Sequence, residues 1–330
     1  MVLLILFALV ASFGLSWLYA VVLYWADRHE KEPKKWLLGM FLWGAVVAVF
    51  GTLVFSLALD AGVAFVLGMP GGVPDLVNTV LVAPFVEETM KGAALLVLLL
   101  LARHEFDSLF DGIIYGALVG LGFEATENFF YLVGAAEQGL GFFTLVTFIR
   151  LGLFGFTHAF FTGLTGLGVA AWRMYGRRHW WAWMLPVIGW SAAVVAHMVH
   201  NASVSFGAPA CFLAVLSDWS GLLALAAIVA WALRRERQWL KTYLREEVEA
   251  GRITPTHYRA MLSPWQKRIL LGQARRLGRG REARTLLQKL ADLAFLKAHL
   301  ARTGPSAGHL ARLQRLQQEV ADLARRLKGL

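Results

Sequence analysis

Two acids and a lysine, Glu87, Glu88 and Lys91, stand inside an apolar run, residues 76–102, that is long enough to cross a bilayer. A charge at membrane depth costs about 2.5–3.5 kcal/mol on insertion scales, so its presence there points to a function. Two more segments repeat the pattern: Glu124, Glu127 and Asn128 in one apolar run, and His197, His200 and Asn201 in another. A carboxylate can take a proton from water, while an imidazole or amide can polarise a carbonyl. Acids and imidazoles at similar depth on separate helices therefore describe a buried hydrolytic site.

Spacing sharpens that reading. Glu87 and Lys91 are four residues apart and Glu88 and Lys91 three, so both acids meet the lysine on a helix. Lys91 can then neutralise one carboxylate and leave the other free to act as a base. A purely structural ion pair would leave the second acid unused. Pro84, one turn earlier, removes an amide donor and is expected to displace the carbonyl of Val80, loosening the helix beside the charges. Gly112, Gly116 and Gly120 make a close-packing row that Glu124 and Asn128 continue, with Phe123 and Glu127 beside it. Arg150 and His158 share another run, His158 in the small and polar context Phe156–Gly163. His197, His200 and Asn201 are expected to project to one side of their helix, where they suit water activation or carbonyl polarisation.

The elements that must position these residues are membrane helices. The chain has 330 residues, 58% hydrophobic and 16% charged, with mean hydropathy +0.56, and a soluble domain is usually less apolar and more charged. Seven apolar runs are candidate spans: about 2–25, 36–58, 76–102, 112–134, 141–172, 181–206 and 212–233. Apolar character continues past Asp60 to Leu67, which allows an added half-helix before the Met69–Pro74 break. The N-terminal run has no basic flank and reads as a retained span, not a signal peptide. Loop charge alternates. Arg28, Lys31, Lys34 and Lys35, then Arg103, then Arg173, Arg177 and Arg178, then Arg234–Arg237 fall in alternate connections; 69–75, 135–140 and 207–211 have no lysine or arginine. The positive-inside rule places the N-terminus outside and the C-terminal tail in the cytoplasm of a multi-pass cell-membrane protein. Glu87 lies 12 residues from Asp75, about 18 Å of helix, and Glu124 13 residues from Asp111, about 20 Å. His197 lies 16 residues from Trp181, about 24 Å, so all of these can meet near the midplane.

Residues 1–233 carry ten basic and fourteen acidic side chains, and residues 234–330 carry 22 and 8, a net charge of +14. The expected architecture is an all-α polytopic bundle of about seven transmembrane helices at 1–233, followed by a basic cytoplasmic helical tail at 234–330. Thr254-Pro255 and Ser263-Pro264 are helix starts. Two leucine stripes, from Leu286 to Leu300 and from Leu313 to Leu327, flank Gly304-Pro305 and predict a helical hairpin at about 280–328. No nucleic-acid motif accompanies the basic residues, so attraction to anionic inner-leaflet lipid, or plain solvation, is preferred and nucleic acid is not an expected partner. Cys211, the only cysteine, excludes an internal disulfide and a thiolate metal cluster.

In Glu87-Glu88-Thr-Met-Lys91, Phe123-Glu-Ala-Thr-Glu127 and His197-Met-Val-His-Asn201 the chain resembles the PrsW family of intramembrane proteases, relatives of the CAAX prenyl proteases and bacteriocin-processing enzymes. The resemblance covers about residues 30–235. It implies peptide-bond hydrolysis, with a membrane-protein substrate such as a single-span anti-sigma factor. By analogy to the first glutamate of the related motif, Glu87 is the base. Related prenyl proteases have F-x-x-x-H where this chain has Phe123 and Glu127, so either Glu127 or His158 takes that role. Glu87, His158 and His197 could hold zinc with an open water position. Alternatively, a glutamate activates the water without metal while His197 and Asn201 donate to the oxyanion. No H-E-x-x-H signature is present, and the metal-free form is preferred. Lys91, Glu124 and His200 are then charge-pairing or positioning residues. A transporter or channel also uses midplane acids and histidines, but the polar motifs do not repeat between halves of the chain.

Overall fold

The computed structural model describes residues 1–26, 31–67, 72–176, 179–304 and 307–329. The described chain forms two compact units, one from Met1–Ala26 and Glu32–Val229, the other mainly from Ala230–Leu330. The described residues of both units are helical, without strands. Arg28, Met69, Pro70, Gly71, Arg177, Arg178 and Pro305, used above for orientation and breaks, lie outside the described residues.

The first unit begins with α1 (Val2–Ala26). α2 follows as Lys34–Leu42, a π-helical turn at Trp43–Ala48, and Val49–Leu67. It runs on through Asp60 to Leu67, the continuation that the apolar run allowed, and the Asp60 carboxylate accepts from Val73 N at 3.2 Å. α3 joins Asp75–Val77, a π turn at Asn78–Val82, and Ala83–Leu101. α4 is Leu109–Glu137, α5 is Leu140–Thr147 with a π turn at Phe148–Leu153, α6 is Thr157–Tyr175 and α7 is Leu185–Ser205. α8 (Ala208–Glu249) carries the chain into the second unit as one helix. Among the described residues six helical segments are long and apolar enough to cross a membrane, so the chain is a multi-pass membrane protein. The expected third span is α3, whose Glu87, Glu88 and Lys91 set it apart from the purely apolar helices.

The expected span at 141–172 falls in one candidate span, Leu140–Tyr175, that is broken into two helices. Phe154–Phe156 break the run between α5 and α6, which exposes the first amides of α6. Glu124 of α4 supplies their cap: its carboxylate accepts from His158 N at 3.1 Å. An anionic acceptor also complements the positive end of the α6 dipole. The apolar run shows no sign of this break because its cap comes from another helix.

α4 is the central helix, starting at a capping box in which Ser108 accepts from Phe110 N and Asp111 N and the Asp111 carboxylate accepts from Ser108 N. Its glycine row faces α6, as expected of a close-packing face. A Cβ added at Gly112, Gly116 or Gly120 would stand 2.2, 2.3 or 2.1 Å from the carbonyl oxygens of Gly166, Thr162 and His158. The opposite side meets α2, where Gly44 and Gly122 would clash with Val119 O and Phe41 O. Without side chains in the way, three helices approach backbone to backbone.

Three π turns interrupt the helices near that crossing, and each has a carbonyl bound by a side chain from another helix. Thr126 Oγ1 donates to Ala45 O at 2.8 Å, Asn201 Nδ2 to Thr79 O at 2.8 Å and Trp219 Nε1 to Leu153 O at 3.3 Å. The second case has a sequence cause. In π register the amide of residue 84 would serve Thr79, but Pro84 has none. The carbonyl that loses this amide, Thr79 O, is the one that Asn201 binds.

In the second unit, α8 is followed by α9 (Pro255–Leu262), α10 (Pro264–Arg276), α11 (Gly280–Thr303) and α12 (Ala307–Arg326). Thr254 and Ser263 cap α9 and α10 through His257 N and Gln266 N. Leu286, Leu290, Leu293 and Leu296 of α11 are buried with Leu316, Val320 and Leu327 in one core.

Candidate active site

α3 brings Glu87, Glu88 and Lys91 inward one turn after its π segment, and all are buried. The Lys91 ammonium donates to Glu88 Oε1 at 2.7 Å, to Glu87 Oε2 at 3.3 Å and to His158 Nδ1 at 2.8 Å. Its three donors are thereby all engaged. The Phe123 ring lies 4.0 Å from the ammonium, which gives that motif residue a cation–π role.

Because Lys91 can only donate, His158 Nδ1 accepts, and the proton sits on Nε2. That nitrogen donates to Glu127 Oε2 at 2.9 Å. Arg150, turned inward by the π segment of α5, donates from Nη2 to the same oxygen and from Nε to Asn128 Oδ1 at 2.7 Å. Its guanidinium also stacks 3.9 Å from the Tyr131 ring. Asn128 Nδ2 in turn donates to Glu124 Oε1 at 3.0 Å. Glu127 and Arg150 are the less buried edge of the cluster.

From α7, His197 Nδ1 meets Glu88 Oε1 at 3.1 Å, and Thr162 Oγ1 donates to Glu88 Oε2 at 3.1 Å. A carboxylate accepts, so the His197 proton is on Nδ1 and Nε2 keeps a lone pair. That Nε2 is 3.9 Å from Glu87 Oε2, too far for a hydrogen bond but a span one water can bridge. Phe161 stacks on the His197 ring at 4.9 Å and 17°, fixing its plane.

Of the residues singled out in the sequence, Glu87, Glu88, Lys91, Glu127, His158 and His197 come together, and Glu124 joins through Asn128. His200 and Asn201 do not join this hydrogen-bonded cluster. His200 Nδ1 pairs with Asp218 Oδ2 of α8 at 2.6 Å, and Asn201 is spent on Thr79 O. A shared helix side does not bring all three into one network when different neighbours pack along it. Sequence reasoning missed Thr162, Phe161 and Asp218 as partners. Asp218 was findable, as the lone acid of the apolar run 212–233.

Glu87, His158 and His197 offer ligand atoms that all lie within 4.8 Å of one another, and so do Glu124, Glu127 and His158. The donor types suit zinc. The arrangement does not fit it, because a cation already stands among those donors. The Lys91 ammonium holds His158 Nδ1 and Glu87, and the other His158 nitrogen carries its proton towards Glu127. A dication on the first set would have to displace an ammonium that Glu88 fixes in place.

A family model described as PrsW family intramembrane metalloprotease matches residues 32–233. The chain is 34% identical over 111 residues to Protease PrsW of Bacillus subtilis (strain 168), which covers 34% of this chain and 47% of that one. It is 31% identical over 165 residues to Protease PrsW of Geobacillus kaustophilus (strain HTA426), covering 49% and 67%. Against Protease PrsW of Clostridioides difficile (strain 630) it is 32% identical over 113 residues, covering 34% and 44%. The chain thus spans about half the length of the first and third of these relatives. No solved structure matches. The chain belongs to the PrsW family.

Proposed function

We propose that this protein is an intramembrane endopeptidase in which Glu87 activates water against a peptide carbonyl. The observation that carries this is the 3.9 Å separation of Glu87 Oε2 and His197 Nε2, two acceptors that one water can join. Glu88 is saturated by Lys91, Thr162 and His197, whereas Glu87 has one bond, the longer one to Lys91. Glu87 takes a proton as the water oxygen bonds to the carbonyl carbon, and returns it to the amine when the C–N bond breaks. Lys91 has no donor left for the oxyanion. Arg150 uses two of its five N–H groups on Glu127 and Asn128 and is the cation with capacity to spare. His158 and Glu127 act through Lys91 and Arg150, which they hold. The family description names a metalloprotease; the lysine among the donors favours hydrolysis without a catalytic metal.

The substrate class, by resemblance, is a membrane protein with a single span, such as an anti-sigma factor. A transporter reading is not favoured, since the matched family is one of proteases. The proposed topology has the N-terminus outside, the tail in the cytoplasm and a polar cavity opening outward, because lipid supplies no water. With Cys211 removed, cysteine at Gly72 or Gln138 should react with an impermeant reagent from outside, and one at Tyr175 should not. The reverse pattern would overturn the orientation.

The central test uses purified full-length chain in proteoliposomes with a candidate single-span substrate. Glu87→Gln should lower turnover by about 10²–10⁴-fold with the melting temperature retained. Chelators should leave the wild-type rate unchanged. Wild-type turnover in Glu87→Gln sinks the reading; stoichiometric zinc lost together with activity would replace it with the metal one.

A further inference from the structure

The second unit carries a surface the proposed reaction does not use. One side of α10 is packed, with Leu270 and Ala274 buried. The other side presents Trp265, 67% exposed, and Ile269, 39% exposed, one turn apart. Exposed Arg268, Arg275 and Arg276 border this apolar strip, and Leu277 follows it at 65% exposure. An amphipathic helix with an aromatic centre and arginine flanks is the form that lies in a lipid headgroup layer.

The fold puts this strip beside the point where the chain leaves its apolar run. α9 doubles back along α8: Tyr258 Oη donates to Lys241 O at 3.2 Å. Arg237, Gln238, Lys241 and Leu262 line a common cavity of about 120 Å³. The start of α10 therefore stands level with Arg237–Lys241, only four to eight residues past Leu233, about 6–12 Å of helix. That same stretch of α8 has Trp231 at 50% exposure and exposed Arg234 and Arg237.

We propose that Trp265, Arg268, Ile269 and Arg276 of α10, with Arg234 and Arg237 of α8, dock on the anionic headgroups of the bilayer from which α8 emerges. Charge selects the partner: residues 234–330 carry net +14, and anionic lipid attracts each basic residue near its surface. Tethering by α8 keeps that surface at high effective concentration, so weak attraction suffices. The docking would hold the whole second unit against the leaflet.

The test uses the full-length chain with Cys211→Ser and Ile269→Cys, labelled with an environment-sensitive fluorophore, in nanodiscs with quencher-bearing lipids. Arg312→Cys, an exposed position on α12, is the control. Discs containing phosphatidylglycerol should quench the label at 269 more than discs of phosphatidylcholine, and leave 312 bright. Adding Arg268→Gln, Arg275→Gln and Arg276→Gln should weaken docking by about fivefold in equilibrium constant per arginine removed. Leu277→Cys provides a second reporter should Ile269→Cys disturb the fold. An unquenched label at both 269 and 277 in anionic discs overturns the proposal. So does equal quenching at 312, or protection of the label by transfer RNA and not by lipid, which would assign the face to nucleic acid.

Discussion

Two wholly buried glutamates in this chain are each held by donors, but in networks of different charge balance. Around Glu247, in the second unit, every partner is a donor: Arg252 and Lys297 bring two cations, and Gln317 Nε2 adds a hydrogen bond at 3.1 Å. Around Glu88, in the membrane unit, Lys91 and Arg150 are the cations of a cluster that also holds Glu87, Glu124 and Glu127. Glu246 also pairs with Lys297, so the first network sets two carboxylates against two cations and is balanced. With neutral imidazoles the second carries four carboxylates against two cations, a formal surplus of two negative charges. A saturated network locks chain segments together. An unsaturated one, kept at membrane depth despite its cost, has capacity to take up a proton. That contrast separates a clamp from a site that can act as a base.

Breaking each clamp should therefore have different consequences. Glu88→Gln takes the nearer carboxylate from fully buried Lys91, a loss of about 3–5 kcal/mol visible as a lower melting temperature. Glu247→Gln leaves the part-exposed Arg252, and Lys297 keeps Glu246, so its loss should be smaller. Glu88→Gln should also abolish cleavage, because it frees Lys91 and His197 together. Glu247→Gln should leave turnover per folded molecule unchanged. If it too removes turnover in the folded fraction, the two regions are not functionally distinct.

At the α4–α6 crossing, Gly120→Ala forces a Cβ to 2.1 Å from His158 O, where both partners are backbone. Overpacking of this kind costs about 1–3 kcal/mol and should shift His158 off Lys91, lowering turnover as well as melting temperature. Gly134→Ala, on the same helix with nothing within 4 Å, should be neutral or slightly stabilising. Asn201→Ala comes next, stranding the Thr79 carbonyl that Pro84 cannot serve, for about 1–3 kcal/mol. Asn201→Asp should not rescue it, since a carboxylate cannot donate. Equal turnover in Gly120→Ala and Gly134→Ala would remove the crossing from any positioning role.

What the sequence made legible follows from the range of each interaction. Glu87, Glu88 and Lys91 lie within one turn, so their pairing needs only a helix. Their meeting with His197 was legible from depth, since residues at one level of a bundle are forced together, whereas His158 was singled out through its local context and the family resemblance. The break at Phe154–Phe156 was not, because the Glu124 cap that makes it tolerable is 34 residues from His158. The three π turns were hidden likewise, one carbonyl of each being served from a distant helix. His200 and Asn201 show the limit of helix periodicity. It fixes their side, but the neighbours Asp218 and Thr79 decide which network each one enters.

The smallest expected effect tests whether the second unit is a clamp throughout. Burial holds the His257 imidazole below its ordinary value of 6.5, with the Leu327 backbone opposing in part. The unfolded chain therefore binds the proton more readily than the folded one. Stability is full above the ordinary value and falls as pH drops below it, by at most about 1.4 kcal/mol per pH unit for one proton, until the folded value is reached. Protonation also removes a cap, because His257 Nδ1 accepts from Thr254 N at 3.4 Å and would become a donor. Amide hydrogen exchange in α9 and α11 should accordingly quicken between pH 7 and pH 5.5, after correction for the intrinsic rate. His257→Gln keeps the capping-box geometry without a titratable ring, so the acid-induced part should vanish in it. Acid sensitivity that persists in His257→Gln would place a titrating group elsewhere in the second unit, and its network would no longer read as a simple clamp.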